Sequence, residues 1–392
     1  MKIDVFATNS GPHASVAHQF TDWRTGHGGR PDFIAVHQSV ASRSGGIEDQ
    51  LTDVSALHGA TSCLGVMSQD GPFVDAGVGA FAIWDPDGDF GTGMQDLGSN
   101  SRAAARLATE EALTAADRSG EAPDVIWLSC SPGSEEEVLA GIEDVVGGNV
   151  PILGGSAADD TVEGHWQVFD AQSTISNGVI VSVLFPSKPI SFAYHNGYAP
   201  TVNKGVVTKA NGRILHEIDG QPAADVYRSW ATEGLIPSQV DERTAILSES
   251  TLSPLGRYLE EVGGVPFYLL FHPAGLLPDG SLELFADVQV GDELTLMMGA
   301  PDQLAERAGK VAALAAQSAA MPTEGIAGAL MVYCGGCMLA VKDRLTEVSD
   351  GINRALPKVP FMGVFTFGEQ GMVVGERNRH GNLMISAIVF AS

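Results

Sequence analysis

The chain has 392 residues, of which 44% are hydrophobic and 47 are glycine, a composition typical of a globular protein. It carries 48 acidic residues against 22 basic ones, which gives a formal net charge of −26. This charge excludes a nucleic-acid-binding protein and a protein that binds anionic membranes, because both functions need clustered lysine and arginine.

The start of the chain and its few cysteines indicate the compartment. Residues 1–11 lack the basic start and apolar run of a signal peptide, and no stretch approaches the roughly 18 consecutive apolar residues of a membrane span. The four cysteines are too few for a disulfide framework in a chain of this length. We therefore expect a cytoplasmic protein, and its many carboxylates predict a halophilic one.

A strand–helix–strand pattern occurs first, in a weak form, over residues 33–83. A strand at 33–36 is followed by the segment 47–51 and by a glycine-containing segment at 59–62. The pattern is clearer in residues 124–185. There a strand at 125–130 precedes a helix, which Ser134 and Glu137 would open as a capping box.

The rest of the second copy is a segment containing Gly154 and Gly155 and a strand over residues 178–185. A third copy in residues 329–390 repeats the order. Its parts are a strand at 330–334, a helix over 345–356, a segment ending in glycine at 360–363, and a last strand at 383–390.

A constant spacing links the last two copies. Cys130 and Cys334 are 204 residues apart, and Met94 and Met298 keep the same distance. Between each methionine and its cysteine lies an alanine-rich helical pattern, at 101–116 and at 301–319. The spacing predicts an internal duplication of a strand–helix–glycine-turn unit.

A predicted β-hairpin at residues 206–220 separates the copies, since two alternating runs flank Asn211 and Gly212. Pro222 then stands near the first turn of a helix. We place the domain join within residues 195–220 and assign residues 1–205 and 206–392 to two domains. Hairpins mixed with helices predict an α/β (α+β) fold with mixed or antiparallel sheets flanked by helices, for which a layered αββα sandwich is one arrangement.

Cys334 and Cys337 form a CxxC motif, a spacing that suits a redox pair or half of a zinc site. Cys63 and Cys130 are isolated, so the second half of a zinc site is missing. A redox pair usually opens a helix, whereas here we expect the helix to begin a few residues later. The alternative is a pair of small residues in a buried turn at the end of a strand.

Three histidines are haem candidates, because a histidine among apolar neighbours can bind the iron: His195, His216 and His272. The interpretation that each is a core or edge histidine with satisfied hydrogen bonds is favoured. The metal content is therefore unknown at this stage.

Two glycine segments could form a ligand site. Residues 154–160 could hold an anion with backbone N–H groups, although they lack the lysine of a P-loop and the spacing of a dinucleotide fingerprint. A tight turn that needs glycine is the favoured interpretation. In the next copy, Glu369 follows Gly368, where its carboxylate could fix a ligand amine or orient the turn.

These pieces in this order resemble the FIST family, named for its F-box and intracellular signal-transduction members. The resemblance rests on residues 151–160, 206–227, 330–334 and 360–371, the last with a Gly-aromatic-Thr-aromatic-Gly-Glu signature. Asn382 stands where the family tends to carry an asparagine before its final strand. The resemblance extends from about residue 30 to the end of the chain.

The resemblance implies a sensory module that binds a small ligand, such as an amino acid. It also implies a signalling partner: a histidine kinase, a chemotaxis receptor or a cyclic-dinucleotide enzyme. Some similar bacterial members bind haem and sense nitric oxide. Where the family often has arginine, this chain has Cys337 and, before Pro273, the pair Phe271 and His272. The loss of cations puts a carboxylate ligand in doubt and leaves room for haem or a thiol-based response.

We therefore expect a cytosolic small-ligand-sensing signal-transduction protein that acts through a separate output partner. The alternatives are a haem-binding nitric oxide sensor and an uncharacterised enzyme that uses Cys334 or Glu369. An enzyme is less favoured, and no catalytic residue is assigned. No cofactor is certain, and haem is the one considered. The expected ligand-binding residues are Gly154, Gly155, Ser156, Asp159, Cys334, Cys337, Phe365, Thr366, Gly368 and Glu369.

Overall fold

The computed structural model describes residues 1–9, 13–42, 47, 50–262, 265–318, 323–373 and 377–392. Three similar α/β units and one antiparallel sheet make up this part of the chain. None of the helices in the described ranges is long and apolar enough to cross a lipid bilayer.

The first two units follow one another along the chain. The first consists of β1 (Lys2–Asn9), α1 (His13–Gly26), β2 (Phe33–Gln38), a 3-10 turn (Val40–Ser42), β3 (Leu57–Thr61), β4 (Val66–Ser68), β5 (Gly71–Phe73) and β6 (Gly77–Trp84). The second consists of β7 (Asp89–Asp96), α2 (Ser101–Ala115), β8 (Val125–Cys130), α3 (Glu135–Val146), β9 (Ile152–Ser156), β10 (Val168–Phe169), β11 (Thr174–Ile175) and β12 (Gly178–Phe185).

The third unit is interrupted after its first strand, β13 (Ile190–Asn196). The inserted part is a nine-stranded antiparallel sheet with two short helices. Its elements are β14 (Ala199–Asn211), β15 (Ile214–Ile218), β16 (Gln221–Pro222), α4 (Ala223–Trp230), β17 (Thr244–Ala245), α5 (Leu247–Ser250), β18 (Leu255–Val262), β19 (Val265–Phe271), β20 (Pro273–Leu276), β21 (Leu282–Leu284) and β22 (Glu293–Met298). The predicted hairpin is confirmed as β14 and β15, with Gly212 at φ 56° in its turn.

The third unit then resumes. It continues with α6 (Pro301–Ser318), a 3-10 turn (Thr323–Gly325), β23 (Ile326–Cys334), α7 (Gly335–Ala340), a 3-10 turn (Lys342–Arg344), α8 (Leu345–Ala355), β24 (Phe361–Thr366), β25 (Glu369–Val373), β26 (Arg377–Gly381) and β27 (Met384–Ala391).

The three units share one strand arrangement. Each contains a pair of parallel neighbours, namely β2 with β3, β8 with β9, and β23 with β24. A later strand, β6, β12 or β27, lies antiparallel to the first of the pair, and the opening strand, β1, β7 or β13, lies outside it. The structure therefore confirms the mixed α/β fold and the duplication. It also shows the weak copy at 33–83 as a full unit, although Glu48 and Asp49 of its segment 47–51 lie outside the described residues.

Each unit also contributes two short strands to the sheet of a neighbouring unit. β4 pairs with β24, β10 pairs with β3, and β25 pairs with β9. Each six-stranded sheet thus has four strands from its own unit and two from another. Because the exchange is cyclic, one edge of the four strands of every unit is covered by a strand that a different unit supplies, while β1, β7 and β13 form the opposite edges.

The inner faces of the three sheets meet in one apolar core. Phe33, Trp127, Val332 and Phe390 are among the residues that fill it. The outer faces are covered by helices: α1 on the first sheet, α2 and α3 on the second, and α6 and α8 on the third. Any two units therefore have the helix–sheet–sheet–helix order of a layered sandwich, and the third unit closes the arrangement.

Two local predictions are wrong. Met298 lies in β22 of the inserted sheet, whereas the strand that corresponds to the Met94 strand, β7, is β13. Helix α3 does begin after Ser134, but no capping box forms, because the side chain of Ser134 makes no capping bond. Its Oγ instead accepts a hydrogen bond from Ser101 Oγ at 2.9 Å.

Candidate functional site

The predicted glycine turns are strands. Gly154 and Gly155 lie in β9, where Gly155 is paired with Glu369 and Gly154 with Gln370 of β25. Gly363 lies in β24 and is paired with Met331 and Met67. The prediction of turns is therefore wrong, although the structure does bring residues 154–156 close to residues 366–369.

Close approach of a neighbouring backbone and of a side chain explains the two glycines of β9. A Cβ atom on Gly154, whose φ is 153°, would lie 1.9 Å from the carbonyl oxygen of Leu128 on the neighbouring strand. A Cβ atom on Gly155 would lie 2.3 Å from Cγ2 of Thr366. Both N–H groups lie within a sheet, so the segment is a crossing point of strands and not an anion-binding loop.

Glu369 is the buried carboxyl group at this crossing. Its Oε1 accepts a hydrogen bond from Thr366 Oγ1 at 2.8 Å, and its Oε2 accepts one from the backbone N–H of Met384 at 2.9 Å. Burial and the neighbouring Cys334 raise the pKa of Glu369 well above its usual value. Burial therefore favours the protonated, neutral form of this carboxyl group.

Cys334 ends β23, and α7 begins at the next residue, so the prediction of a delayed helix is wrong. Both cysteines of the CxxC motif are buried and free. Burial raises the pKa of Cys334 well above its usual value, and the helix start does not reverse this. Cys337 Sγ lies 3.6 Å from the hydroxyl of Tyr198. Cys334 is thus a neutral thiol rather than a thiolate nucleophile.

A cavity of about 40 Å³ opens beside Cys334, which we call the thiol cavity. Its volume is enough for a few water molecules or a ligand of a few heavy atoms. It is lined by Val162, Leu247, His272, Phe285, Cys334, Gly336, Leu339, Phe367 and Asn382. One wall comes from the second unit, through Val162, and the others come from the inserted sheet and the third unit.

Asn382 carries an unused donor at this cavity. Its Oδ1 accepts a hydrogen bond from the backbone N–H of His272 at 3.2 Å. Its Nδ2 is buried and has no hydrogen-bond partner among the described residues. A buried amide nitrogen without a partner costs about 1–3 kcal/mol, so a group that accepts a hydrogen bond in the thiol cavity would be stabilised there.

His272 lies in the same wall and is neutral. Its Nε2 lies 2.8 Å from the carbonyl oxygen of Leu247, so this nitrogen carries the proton and donates it. Burial lowers the pKa of His272 to about 4, against a smaller opposing effect of that hydrogen bond. Because burial also favours the neutral thiol of Cys334, neither of these two cavity-lining residues presents a charged base or nucleophile near pH 7.

Asp159 holds the loop that forms the outer wall. Its carboxylate accepts hydrogen bonds from four backbone N–H groups, those of Thr161, Val162, Glu163 and His165. Val162 has φ 60°, a conformation that is an outlier for a β-branched residue and costs about 1–3 kcal/mol. Asp159 therefore acts on the cavity by fixing this loop, not by contact with a ligand.

A second polar cluster adjoins the crossing. Ser156 Oγ donates to Glu135 Oε1 at 2.7 Å, and Arg213 contacts Glu135 at 2.6 Å and Glu136 at 2.8 Å. Burial would raise the pKa of Glu135, but the charges of His380 and Arg213 outweigh it and lower the pKa to about 2. Ligand atoms of both glutamates and His380 lie within 4.8 Å of one another. Because the guanidinium already binds the carboxylates, an ion-pair cluster fits these residues better than a metal site.

The remaining predicted residues are structural neighbours of the site. Phe365 is buried in β24 with its ring 6.4 Å from that of Tyr333. The carbonyl of Gly368 accepts a hydrogen bond from the backbone N–H of Ser156 at 2.8 Å. Neither lines the thiol cavity, whereas Phe367, between Thr366 and Gly368, does.

The other two haem candidates lie away from the thiol cavity. His216 is half-buried in β15, and its Nδ1 lies 2.8 Å from Ser281 Oγ. His195 is half-buried in β13, where its Nδ1 accepts a hydrogen bond from the backbone N–H of Asn196 at 2.8 Å. Its Nε2 makes no hydrogen bond within the described ranges, and the residue lines a surface pocket of about 350 Å³.

Sequence reasoning missed several residues that form the site. Leu247 and Phe285 come from the inserted sheet, and nothing in their local sequence marks them. Asn382 did carry a signal, since it precedes the last strand at a position that the family resemblance marks. The predicted set of ligand-binding residues nevertheless does not include Asn382.

Two sequence models match most of the chain: the FIST N domain at residues 33–221 and the FIST C domain at residues 223–372. An uncharacterised protein of Methanocaldococcus jannaschii is 28% identical over 179 residues. The matched part is 44% of this chain and 31% of that protein, so the chain spans under a third of the length of this relative.

Three solved structures resemble the chain distantly. Cyanuric acid hydrolase from A. caulinodans is 10% identical over 100% of this chain and 99% of its own, with a TM-score of 0.40. A second cyanuric acid hydrolase is 9% identical over the same shares, with a TM-score of 0.36. PurLQS from Thermotoga maritima is 8% identical over 79% of this chain and 73% of its own, with a TM-score of 0.22. Likenesses at this level carry no inference about activity.

Proposed function

The chain belongs to the FIST family, whose domains are associated with signal-transduction sensing, and from this premise we propose that it is a sensor that binds a small neutral ligand in the thiol cavity. The observation that carries the proposal is the buried, unpartnered Nδ2 of Asn382 at that cavity. A donor held without a partner in a mostly apolar wall is suited to a ligand with one hydrogen-bond acceptor.

Charge and size narrow the ligand class. The residues that line the thiol cavity include no lysine or arginine, and burial lowers the pKa of His272 to about 4, so no cation there would offset the cost of burying a carboxylate. A volume of about 40 Å³ admits only a few heavy atoms unless a wall moves. The ligand would therefore be a small neutral molecule, and an amino acid fits this site poorly.

The outer wall of the thiol cavity is the part of the site suited to change conformation when a ligand binds. Val162 and Leu339 are 39% and 42% exposed, although both also line the cavity. A ligand larger than the cavity would displace the loop that Asp159 holds, and the strain at Val162 lowers the cost of that displacement. The altered surface would be read by a separate partner, such as a histidine kinase, a chemotaxis receptor or a cyclic-dinucleotide enzyme.

Nuclear magnetic resonance of the side-chain amide groups tests the proposal. Acetone and dimethyl sulfoxide, small molecules with one acceptor, should shift the Asn382 Nδ2 resonance and saturate it. The exposed Asn149 is the internal control and should not respond in this way. Asn382→Ala should also abolish the rise in Tm that either compound causes, whereas Asn149→Ala should retain it. Shifts that never saturate, or that Asn149 shares, would overturn the proposal.

Haem fits the described residues poorly. The thiol cavity is far smaller than a porphyrin, and Nε2 of His272 already donates to Leu247. The pocket beside His195 offers a free Nε2 but, at about 350 Å³, lies at the lower end for any drug-sized ligand. Haem is therefore not the ligand that we propose. A Soret band that appeared on haem addition and vanished in His195→Ala would contradict this view.

The enzyme alternative would require Cys334 or Glu369 to ionise. Burial favours the neutral form of both groups. A turnover abolished by Cys334→Ser would be the observation in its favour.

A further inference from the structure

A second pocket, of about 350 Å³, lies between α6, β13 and β19 on the side of the third unit. We call it the Arg307 pocket. Its volume falls within the range of small-molecule sites. It lies next to the CxxC motif, because Tyr198 lines it and the hydroxyl of Tyr198 is 3.6 Å from Cys337 Sγ.

Arg307 of α6 is the unusual group in this pocket. The side chain is half-buried, and its Nε is fully buried without a hydrogen-bond partner. Within the described part of the chain, Arg307 forms no ion pair and no hydrogen bond. Burial lowers its pKa, which reflects the cost of holding a guanidinium away from water with nothing opposite it.

Several other arginines are paired with carboxylates, as expected in a protein that has more than two acidic residues for every basic one. Arg102 binds Asp144, Arg118 binds Asp89 at 2.6 Å, and Arg213 binds two glutamates. The residues that line the Arg307 pocket include no aspartate or glutamate. Arg307 is therefore an unpaired guanidinium beside a pocket without carboxylates, in a chain rich in acids.

The rest of the lining suits an organic acid rather than an inorganic ion. Nδ1 of His195 lies 2.8 Å from the backbone nitrogen and 3.0 Å from the carbonyl oxygen of Asn196, whereas Nε2 makes no hydrogen bond within the described ranges and is available to a ligand. Tyr198, Pro266 and Tyr268 supply apolar ring surfaces around the donors. Lys310 also lies at the rim, but its charge is already paired with Glu306 at 2.8 Å.

We propose that the Arg307 pocket binds a small organic carboxylate, with the carboxylate against the Arg307 guanidinium and its apolar body against Tyr198, Pro266 and Tyr268. The planar fork of arginine matches a carboxylate with two parallel hydrogen bonds. This site is distinct from the thiol cavity, and it takes the charged class of ligand that the thiol cavity excludes.

Isothermal titration of the whole chain with acetate, benzoate and succinate at fixed ionic strength tests the site. Benzoate should bind at one saturable site and more tightly than acetate, whereas benzyl alcohol, which lacks the charge, should not bind. Arg307→Gln should weaken benzoate binding by about tenfold or more, and Arg307→Lys by less, because lysine keeps the charge without the fork. The matched control is Arg106→Gln, a surface arginine of α2 paired with Glu110.

Gln303 provides a second test that does not depend on the folding of the Arg307 variants. It is exposed at the rim of the pocket. Gln303→Glu should weaken benzoate binding, because its carboxylate competes for the guanidinium, and Gln303→Lys should strengthen it. No saturable binding of any of the three acids would overturn the proposal. Equal binding by wild type, Arg307→Gln and Gln303→Glu would also overturn it.

Discussion

The Oε2 atom of Glu369 accepts a 2.9 Å hydrogen bond from the backbone N–H of Met384, which joins the first residue of β25 to the first residue of β27. Oε1 binds the hydroxyl of Thr366 on the other side. The side chain of Glu369 thus accepts hydrogen bonds from Met384 and from Thr366 at the strand crossing. This role needs acceptor atoms but no negative charge.

Glu369→Ala should lower the free energy of unfolding by about 2–4 kcal/mol, because it leaves the N–H of Met384 unpaired and creates a cavity. Glu369→Gln keeps the acceptor, so its cost should stay within about 1 kcal/mol. Urea unfolding monitored by circular dichroism measures both. Equal losses in the two variants would show that charge matters at this position.

The pH dependence separates the same two variants further. The pKa of Glu369 is raised in the folded protein, so the native state retains a proton that the unfolded chain releases above about pH 4.3. Wild type should therefore lose stability relative to Glu369→Gln as the pH rises from 4 towards 8. Parallel stability profiles over this range would contradict a neutral Glu369.

Gly154→Ala should be severely destabilising, with a fall in Tm of about 10 °C or more or a failure to fold. The new Cβ would meet the carbonyl oxygen of Leu128 at 1.9 Å, and backbone cannot move aside as a flexible side chain can. Gly148→Ala is the matched control, since its nearest neighbours are side-chain atoms of Glu143 at 4.0 Å. A mild effect of Gly154→Ala would support the turn that the sequence predicted.

The sequence patterns predicted individual strands and helices better than they predicted how those elements pair. The strand at 125–130 and the helices α2 and α6 were predicted nearly to the residue, because apolar periodicity and alanine-rich segments report local structure. The interruption of the third unit and the exchange of β4, β10 and β25 between units are pairings of distant segments. A single sequence carries no record of such pairings, and short strands of two to five residues have little periodicity.

The candidate site was predicted for the wrong physical reason. Gly154, Gly155 and Glu369 do meet, but as paired strands in which Gly154 admits a neighbouring backbone and Gly155 admits the side chain of Thr366. A glycine pair favours a turn when only local conformation is considered, since the neighbouring strand is invisible in the sequence. Arg307 was missed for a similar reason, because an arginine is conspicuous only once its lack of a carboxylate is known.

His37 should limit stability in acid. Burial lowers its pKa to about 3, and its Nε2 has no partner among the described residues. The native state keeps His37 neutral while the unfolded chain takes up a proton below about pH 6.5, so stability falls as the pH drops from 6.5 towards 3. This single residue should account for up to about 1.4 kcal/mol per pH unit in that window.

His37→Phe tests this, because phenylalanine can keep the ring packing against His58 and Trp127, whose rings lie 6.0 Å away. The variant should unfold with a shallower dependence on pH between 6.5 and 4. The exposed His18 supplies the control variant His18→Phe, which should retain the wild-type slope. An unchanged slope in His37→Phe would mean that other buried groups dominate acid unfolding.

Potassium chloride should stabilise the protein if the halophilic character that the sequence predicts is real. A net charge of −26 is self-repulsive in the compact state, and raising the salt from 0.1 M to 1 M shortens the screening length from about 10 Å to about 3 Å. Tm measured by calorimetry should rise by about 2–3 °C across that range, since about 1 kcal/mol corresponds to roughly 1 °C in a chain of 392 residues. Sucrose provides the comparison, because it stabilises folded proteins without screening charge. The difference in Tm between low and high salt should therefore persist when sucrose is present. A Tm independent of potassium chloride would show that the acidic surface is not tuned to salt.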